Sequence, residues 1–358
     1  MMRTILIIIK KEFRQIFRSR PMLMVIIAMP IIQLLILSNA ADYEIKNLRL
    51  AVEDYDHSST SSELIHDFAY NQWFDIIAFN NDQEANDQLL ARNKIEAIIA
   101  IPENFEKNIN NGYPVDLQIR LDAIDGATAQ VASSYIISVI NKWNKNGSDI
   151  IRSRFLYNPE LNYKNFIVPG ILVMLVTVIG IILTALNIVR EKETGTQEQI
   201  NVTPIRKHEY ILGKLIPMII IGMAEFTMGL IIALTIFHVP LLGNVLLLYL
   251  YLFFYLIVMC GIGLFISTIA ASQQQAVFIA FFVMMIFLFL SGLFAPIDSM
   301  PNWAKILTRF IPLSYFIQVM RSIMLKGSTL LSLQKELFTL IIMAAITQII
   351  AILNYQKR

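Results

Sequence analysis

Six long apolar stretches, separated by polar segments, dominate the pattern of hydrophobic and polar positions along this chain. A helix needs about 20 mainly apolar residues to cross the hydrocarbon core of a bilayer, and each stretch is close to that length. The stretches cover residues 21–41, 166–189, 215–237, 245–269, 276–294 and 337–353. The pattern therefore predicts an α-helical integral membrane protein with six transmembrane helices.

The segment between the first two stretches has a different pattern. Residues 42–160 contain short apolar runs with the features of strands and polar stretches with the start signals of helices. The predicted strands are 48–54, 74–79, 95–101 and 115–121, and the predicted helices are 61–70, 82–91, 102–112 and 129–143. A module of about 120 residues can have its own core, so we predict an inserted α/β domain.

Composition supports a membrane protein. The chain is 56% hydrophobic and 16% charged, with a mean hydropathy of +0.59, whereas roughly a quarter of the residues of soluble domains are charged. The single cysteine cannot form an intrachain disulfide. The four histidines are scattered without the spacing of metal ligands. We therefore predict no metal site.

The charges predict a topology. Residues 42–160 carry 19 acidic and 10 basic side chains, a net charge of −9. Basic residues cluster instead near the N-terminus, between the second and third stretches, and at the C-terminus. Because basic residues near span ends stay in the cytoplasm, we predict cytoplasmic termini and an extracytoplasmic α/β domain. Five basic residues count against this topology, because it places them outside the cell, between the fifth and sixth spans. They are Lys305, Arg309, Arg321, Lys326 and Lys335.

Residues 1–20 form a basic segment before the first span. Phe13, Ile16 and Phe17 recur there at helical intervals among lysines and arginines, which predicts a cytoplasmic amphipathic helix on the inner leaflet. The sequence LSNAAD at the end of the 21–41 stretch resembles a signal-peptidase site. The apolar run is longer than a signal-peptide core, so we predict an uncleaved first span.

Residues 190–214 form a charged loop between the second and third spans. Such a short segment cannot fold as a domain, and its charges cannot enter lipid. We therefore predict that it docks a separate motor protein at the cytoplasmic surface. The alternative is a merely solvated connector.

Taken together, the spans, the loop and the outer domain resemble the permease subunit of type-2 ABC exporters, in particular bacterial multidrug-type permeases with a large extracytoplasmic domain. The resembling segments are 190–217, 261–278 and 290–327. In the first, the matching residues are Glu191, Glu193, Gly195, Thr196, Glu198, Pro204 and the pair Gly213-Lys214. By this resemblance they couple the permease to an ATPase subunit, with the glutamates contacting basic residues of the motor. In the third, Pro296, Pro301 and Pro312 imply an outer re-entrant or interfacial segment over 295–327.

The chain has no G-x-x-x-x-G-K-[ST] phosphate loop, so we expect no ATPase activity and no cofactor of its own. The resemblance implies that ATP and Mg are held by a separate cytoplasmic ABC ATPase subunit. It also implies a second permease copy or a close paralogue, a place in the bacterial plasma (inner) membrane, and a possible periplasmic adaptor for a drug exporter. Nucleic acid is not an expected partner.

Glu225 is the one acidic residue deep in a predicted span, and ionisable groups in such positions are functional candidates. It is a candidate pathway residue that binds a cationic substrate. The alternative is a protonated side chain held by neighbours or at a dimer interface. Two other protein classes stay open: a secondary transporter, for which we find no internal repeat, and a receptor or anchor that senses through the outer domain. No residue identifies the substrate.

Overall fold

A computed structural model describes residues 2–40, 48–71, 73–91, 94–113, 115–121, 126–143, 163–196, 205–294, 297 and 300–354. The chain divides into two compact units. One, the membrane unit, comprises Met1–Asp42 and Lys164–Arg358, and the other, the α/β unit, comprises Tyr43–Tyr163.

The membrane unit begins with two helices. Helix α1 covers Met2–Arg18, and α2 covers Arg20–Ala40. Their axes differ by 79°. Ile8, Glu12 and Ile16 lie on one face of α1 and are buried, whereas Arg3, Lys10 and Arg14 are exposed. Of the three residues whose spacing predicted a helix here, Ile16 is buried and Phe17 is 61% exposed. The buried face also includes one carboxylate, that of Glu12.

The α/β unit contains a four-stranded sheet in the order β2-β1-β3-β4. Strand β1 pairs in parallel with β2 and β3, and β4 pairs antiparallel with β3. In chain order the elements are β1 Leu48–Asp54, α3 Ser59–Ala69, β2 Phe74–Phe79, α4 Gln83–Ala91, β3 Ala97–Ile101, α5 Phe105–Asn110, β4 Gln118–Leu121 and α6 Gly126–Trp143. The main core lies between the sheet and α3, α5 and α6, while α4 covers a smaller cluster that contains Ala51 and Ile98.

Asp54, the last residue of β1, and Asp56, two residues later, are turn and capping groups. Asp54 accepts hydrogen bonds from the backbone amides of Asp56 and His57. Asp56 accepts hydrogen bonds from the backbone amides of Phe105 and Glu106, both at 3.0 Å. This local bonding agrees with the usual role of Asp at strand ends and helix starts.

The rest of the membrane unit is helical. Its elements are α7 Tyr163–Val178, a π-helical turn Ile179–Leu183, α8 Thr184–Glu193, α9 Lys207–Thr235, α10 Val245–Ile269, α11 Gln273–Phe289, α12 Asn302–Thr308, α13 Pro312–Lys326, a 3-10 turn Leu330–Leu333 and α14 Gln334–Asn354. Helix α10 is central, because it packs against the π turn and against α8, α9, α11, α13 and α14. Its buried Tyr255 hydroxyl lies 2.5 Å from that of Thr177.

Among the described helices, four are long and apolar enough to cross a bilayer: Lys164–Glu193, Lys207–Thr235, Val245–Ile269 and Leu330–Asn354. The bent pair α1 and α2 makes a fifth candidate if it is counted as one span. The predicted stretch 276–294 is helical only as far as Phe289, the last residue of the 17-residue helix α11. Gly292, with φ of +79°, lies in the turn that follows.

Candidate functional site

The predicted coupling residues lie at the C-terminal end of α8. Gly195 has φ of +70°, and its amide donates to the carbonyl of Lys192 at 3.3 Å. A residue with a Cβ is strained at this angle, so glycine is the usual residue where a helix ends in a left-handed turn. The Thr194 and Thr196 hydroxyls lie 2.6 Å apart. Glu191, Glu193, Gly195 and Thr196 therefore share one helix end, while Glu198 and Pro204 lie outside the described residues.

Two neighbouring side chains of this helix end bind the turn between α10 and α11. The Lys192 ammonium donates to the carbonyl of Ala270 at 2.9 Å. Glu193 accepts from the backbone amide of Gln273 at 2.7 Å and also from its side-chain amide. A cation at the end of α10 and an anion at the start of α11 both match the helix dipoles. The 190–214 loop and the 261–278 segment, both singled out by resemblance, therefore meet here.

A buried ion cluster lies beside this helix end. The Lys214 ammonium of α9 lies 2.6 Å from Oδ1 of Asn187, 2.9 Å from Oε1 of Glu191 and 3.0 Å from Oε1 of Glu12. Lys214 and Glu191 are each 2% exposed, and Glu12 is fully buried. An ammonium has three donors, and each of them has an acceptor here. The cluster joins α1, α8 and α9.

Lys11 and Tyr210 complete the cluster. Lys11 forms ion pairs with Glu191 and, at 3.2 Å, with Glu12, and the Tyr210 hydroxyl donates to Oε2 of Glu191 at 2.9 Å. Two ammonium groups thus face two carboxylates, and the formal charges cancel. Partial burial opposes the charge of Lys11, but the hydrogen bond to Glu191 and the negative charges of both carboxylates outweigh it, so the pKa of Lys11 is raised.

The contacts of the two predicted glutamates are internal. Glu191 points into the ion cluster, and Glu193 binds Gln273, so within this chain both carboxylates hold helices together. Sequence reasoning missed Lys11, Glu12, Asn187 and Tyr210. One signal was available: Glu12 is the lone acidic residue among the first 20, and an isolated opposite charge in a basic helix suggests an internal partner.

Glu225, on α9, is 4% exposed, and its Oε2 has no hydrogen-bond partner among the described residues. Gly222 and Gly229 lie on the same helix face, three residues before it and four after. A Cβ at Gly222 would lie 2.6 Å from Leu256, and one at Gly229 would lie 2.7 Å from Leu172. Helices α10 and α7 therefore close over this face, and the carboxyl group is enclosed.

Arg321 of α13 organises the opposite end of the membrane unit. It donates to the carbonyls of Phe166 at 3.1 Å, Gly292 at 3.0 Å and Leu293 at 3.3 Å. Its guanidinium carbon also lies 3.5 Å from the centroid of the Phe166 ring. The start of α7 and the turn after α11 are thus held by one side chain. Pro296, within the predicted outer segment, lies outside the described residues.

The described residues contain no group of three or more His, Cys, Asp or Glu side chains placed to bind a metal ion. The described polar side chains instead form clusters that join helices, together with one enclosed carboxyl group.

The chain matches the family model described as ABC-2 family transporter protein over residues 20–353. It is 28% identical to the probable multidrug ABC transporter permease YbhR of Escherichia coli, with 98% of each chain covered. It is 29% identical to the probable multidrug ABC transporter permease YbhS of the same organism, over 89% of this chain and 87% of YbhS. It is also 24% identical to ABC transporter G family member 20 of Dictyostelium discoideum, over 89% of this chain and 46% of that protein.

Proposed function

The chain belongs to the ABC-2 family of transporter proteins, as an ABC transporter membrane subunit, and from that premise we propose that it is an exporter permease driven through residues 190–214. The observation that carries the proposal is the end of α8, where side chains bind α1, α9, α10 and α11. A force applied next to Gly195 reaches all of these helices directly. The family implies a cytoplasmic ABC ATPase as the source of that force.

A six-span topology with both termini in the cytoplasm is part of the proposal. The end of α8, the start of α9 and the α10–α11 turn lie together. The start of α7, the turn after α11 and α13 lie together at the other end. Helix α11 therefore connects the two ends despite its length, and α2 supplies the remaining span. This arrangement supports placing α1, residues 190–214 and the α10–α11 turn on one side of the membrane, and the basic residues of the N-terminal segment and of 190–214 favour the cytoplasmic side.

In the proposed mechanism, the ATPase pushes on the chain after Gly195 when it binds ATP. Lys192 and Glu193 pass the movement to the α10–α11 turn, and Glu191 passes it to the ion cluster. Glu198 and Pro204 belong to the same docking segment by resemblance. The membrane helices then alternate between inward-open and outward-open arrangements.

The test uses Gly195→Val and Glu193→Lys in the complex reconstituted with its ATPase. We expect ATP hydrolysis to persist while the substrate transported per ATP falls, because the left-handed turn and the cap on α11 are lost. Gly112→Val and Glu63→Lys are matched controls: Gly112 also has a positive φ, +72°, and Glu63 is exposed on α3. A transport-to-ATP ratio equal to that of the controls contradicts the proposal.

Glu225 is proposed to line the pathway and to bind a cationic substrate when α9 separates from α10. The support is its buried oxygen without a partner and the glycines that flank it. Glu225→Gln keeps the shape of the side chain and removes its charge. We expect lower export of a cationic dye and unchanged export of a neutral dye in the same vesicles. Equal effects on both dyes, or none, reject this role.

The remaining proposals concern the partners of the protein and its cellular location. We propose a second copy of this permease or a close paralogue, a periplasmic adaptor, and the bacterial inner membrane. The multidrug names of two relatives support drugs as substrates. Copurification of two differently tagged copies tests the homodimer. The family match does not favour a secondary transporter or a receptor.

A further inference from the structure

We propose that Lys214 is a positioning residue that locks α1 to α8 and α9, so that the movement received at the end of α8 is delivered to α1 and, through it, to α2. This inference rests on the proposed coupling function. The resemblance places Glu191 and Lys214 in the coupling segment but assigns no role to Lys11, Glu12 or Asn187, and the proposal adds a second route beside the α10–α11 turn.

Lys214 holds the three helices together because its three acceptors belong to two other helices. Glu12 belongs to α1, while Asn187 and Glu191 belong to α8, and all three lie within 3.0 Å of the ammonium. Removing one partner of a buried ion pair leaves an uncompensated charge in a dry site, which is strongly unfavourable. Moving α1, α8 or α9 away from the cluster breaks such contacts and leaves buried charge without its full set of partners. The helices are therefore expected to move together.

The packing beside the cluster fixes how α1 lies on α9. A Cβ on Gly213 would lie 2.6 Å from Cγ2 of Ile8 and 2.7 Å from its Cβ, so only glycine permits this approach. Ile16, about two turns further along α1 than Ile8, packs in one core cluster with Tyr210 and Ile211 of α9. Gly213 thus lets α1 approach α9 closely, and the adjacent Lys214 provides the ammonium that pairs with Glu12 and Glu191. Each residue of the Gly213-Lys214 pair therefore has its own contact with the neighbouring helices.

Movement of α1 passes directly to α2 because the joint between them is short. Helix α1 ends at Arg18 and α2 begins at Arg20. The Ser19 amide donates to the Ile16 carbonyl at 3.1 Å, and the Leu23 amide donates to the Ser19 carbonyl at 3.0 Å. The joint therefore has its own backbone hydrogen bonds and is not a free linker. A shift of α1 at the membrane surface tilts the first span.

The primary variant is Lys214→Met, which keeps an unbranched side chain and removes the charge. In the complete complex reconstituted with its ATPase, with export of a cationic fluorescent dye as the measure of transport, we expect ATP hydrolysis to continue and the dye transported per ATP to fall at least about fivefold, within the range of coupling between protein sites. The matched control is Lys10→Met, because Lys10 is exposed on the same helix α1 as Glu12. Lys214→Met with the ratio of the control overturns the lock.

A second measurement, of the distance between α1 and α9, tests directly whether Lys214 holds these helices together. Spin labels at Arg14 of α1 and His208 of α9, both exposed, give a distance between these helices, and the one native cysteine, Cys260, is buried. We expect a single narrow distance distribution with and without ATP when Lys214 is present, and a broad one in Lys214→Met. A distribution that stays narrow in the variant overturns the proposal.

The double variant Lys214→Met with Glu12→Gln separates locking from simple stabilisation. It leaves Lys11 paired with Glu191, so no uncompensated charge stays buried. A purely stabilising role predicts that coupling recovers in the double variant, and that result overturns the lock. The lock predicts that coupling stays low and the distance distribution stays broad. If Gly195→Val uncouples transport and Lys214→Met does not, the lock alone fails; if neither does, the proposed function fails as well.

Discussion

At the scale of single residues, glycines set how closely the helices approach. A Cβ on Gly263 would lie 2.7 Å from the carbonyl oxygen of Ile181 and 2.9 Å from that of Gly180. Both obstacles are backbone atoms of the π turn and cannot rotate away. A Cβ on Gly222 would meet the flexible end of Leu256 instead, at 2.6 Å. The same added methyl group therefore has different consequences at the two sites.

We predict that Gly263→Ala lowers the thermal unfolding temperature of the purified protein, whereas Gly222→Ala has a smaller effect. Overpacking a well-packed core costs about 1–3 kcal/mol, and at Gly263 the backbone of the π turn or of α10 must shift. Thermal unfolding of both variants in one detergent measures the difference. Equal unfolding temperatures for the two variants contradict the argument.

Arg321 is the second residue with a specific prediction. Its guanidinium donates to three carbonyls and stacks on Phe166. A lysine retains the charge but has no planar fork to reach several acceptors and stack at once. We therefore expect Arg321→Lys to lower the unfolding temperature and to leave the turn after α11 more open to proteolysis. Arg309→Lys, at an exposed position just before α13, is the control and is expected to match the parent protein.

At the scale of elements, the carboxylate of Asp56 caps the start of helix α5, which lies about 50 residues further along the chain. Burial opposes the charge of Asp56, but hydrogen bonds from Ser58 and from the amides of Glu106 and Phe105 outweigh it and lower its pKa. A carboxylate whose pKa is lowered on folding stabilises the fold above its unfolded pKa, near 3.9. That contribution is lost as the pH falls through the lower, folded value.

We predict that Asp56→Ala increases hydrogen exchange of the amides of Phe105 and Glu106 at neutral pH, and that the difference from the parent protein shrinks on strong acidification. The loss of a helix cap costs about 0.5–2 kcal/mol. Asp82→Ala removes the analogous bond to the Ala85 amide and is the control, which should affect α4 alone. Unchanged exchange at Phe105 and Glu106 in Asp56→Ala rules out the cap.

Elements defined by local pattern were predicted well from sequence. Strands β1 and β2 begin and end at the predicted residues, and α10 has the bounds predicted for the fourth span. Strands β3 and β4 begin two and three residues later than predicted, because apolar alternation alone does not mark where pairing starts. Helix α11 ends at Phe289, before the predicted span does, and the left-handed Gly292 lies three residues further along the same apolar run.

The contacts of the candidate site were not predictable in this way. Lys11 and Glu191 are 180 residues apart in the chain, and no local pattern brings them together. The coupling residues were selected by resemblance, which identified the segment but gave Glu191 and Glu193 an outside partner. Their internal bonds emerge only when α1, α8, α9 and α11 are placed. Charge pairing across such distances depends on the fold.

At the scale of the whole molecule, the described membrane unit exposes large apolar side chains on several helices. Phe278 and Phe282 of α11 are 65% and 68% exposed, and Leu353 of α14 is 75% exposed. A water-soluble surface rarely carries such continuous apolar faces. These faces fit lipid chains or a second permease copy. The charged groups of the long apolar helices, with the exception of Glu225, lie by contrast near the helix ends.

This separation leads to a prediction about topology. A single cysteine at His208, exposed at the start of α9, should react with a membrane-impermeant maleimide only after the cells are opened, because the loop before it is proposed to meet the cytoplasmic ATPase. A cysteine at Glu84, exposed on α4, should react in intact cells. The buried native Cys260 should give no signal in the parent protein. Labelling of position 208 from outside intact cells contradicts the topology. It also contradicts the proposal that a cytoplasmic ATPase acts on residues 190–214.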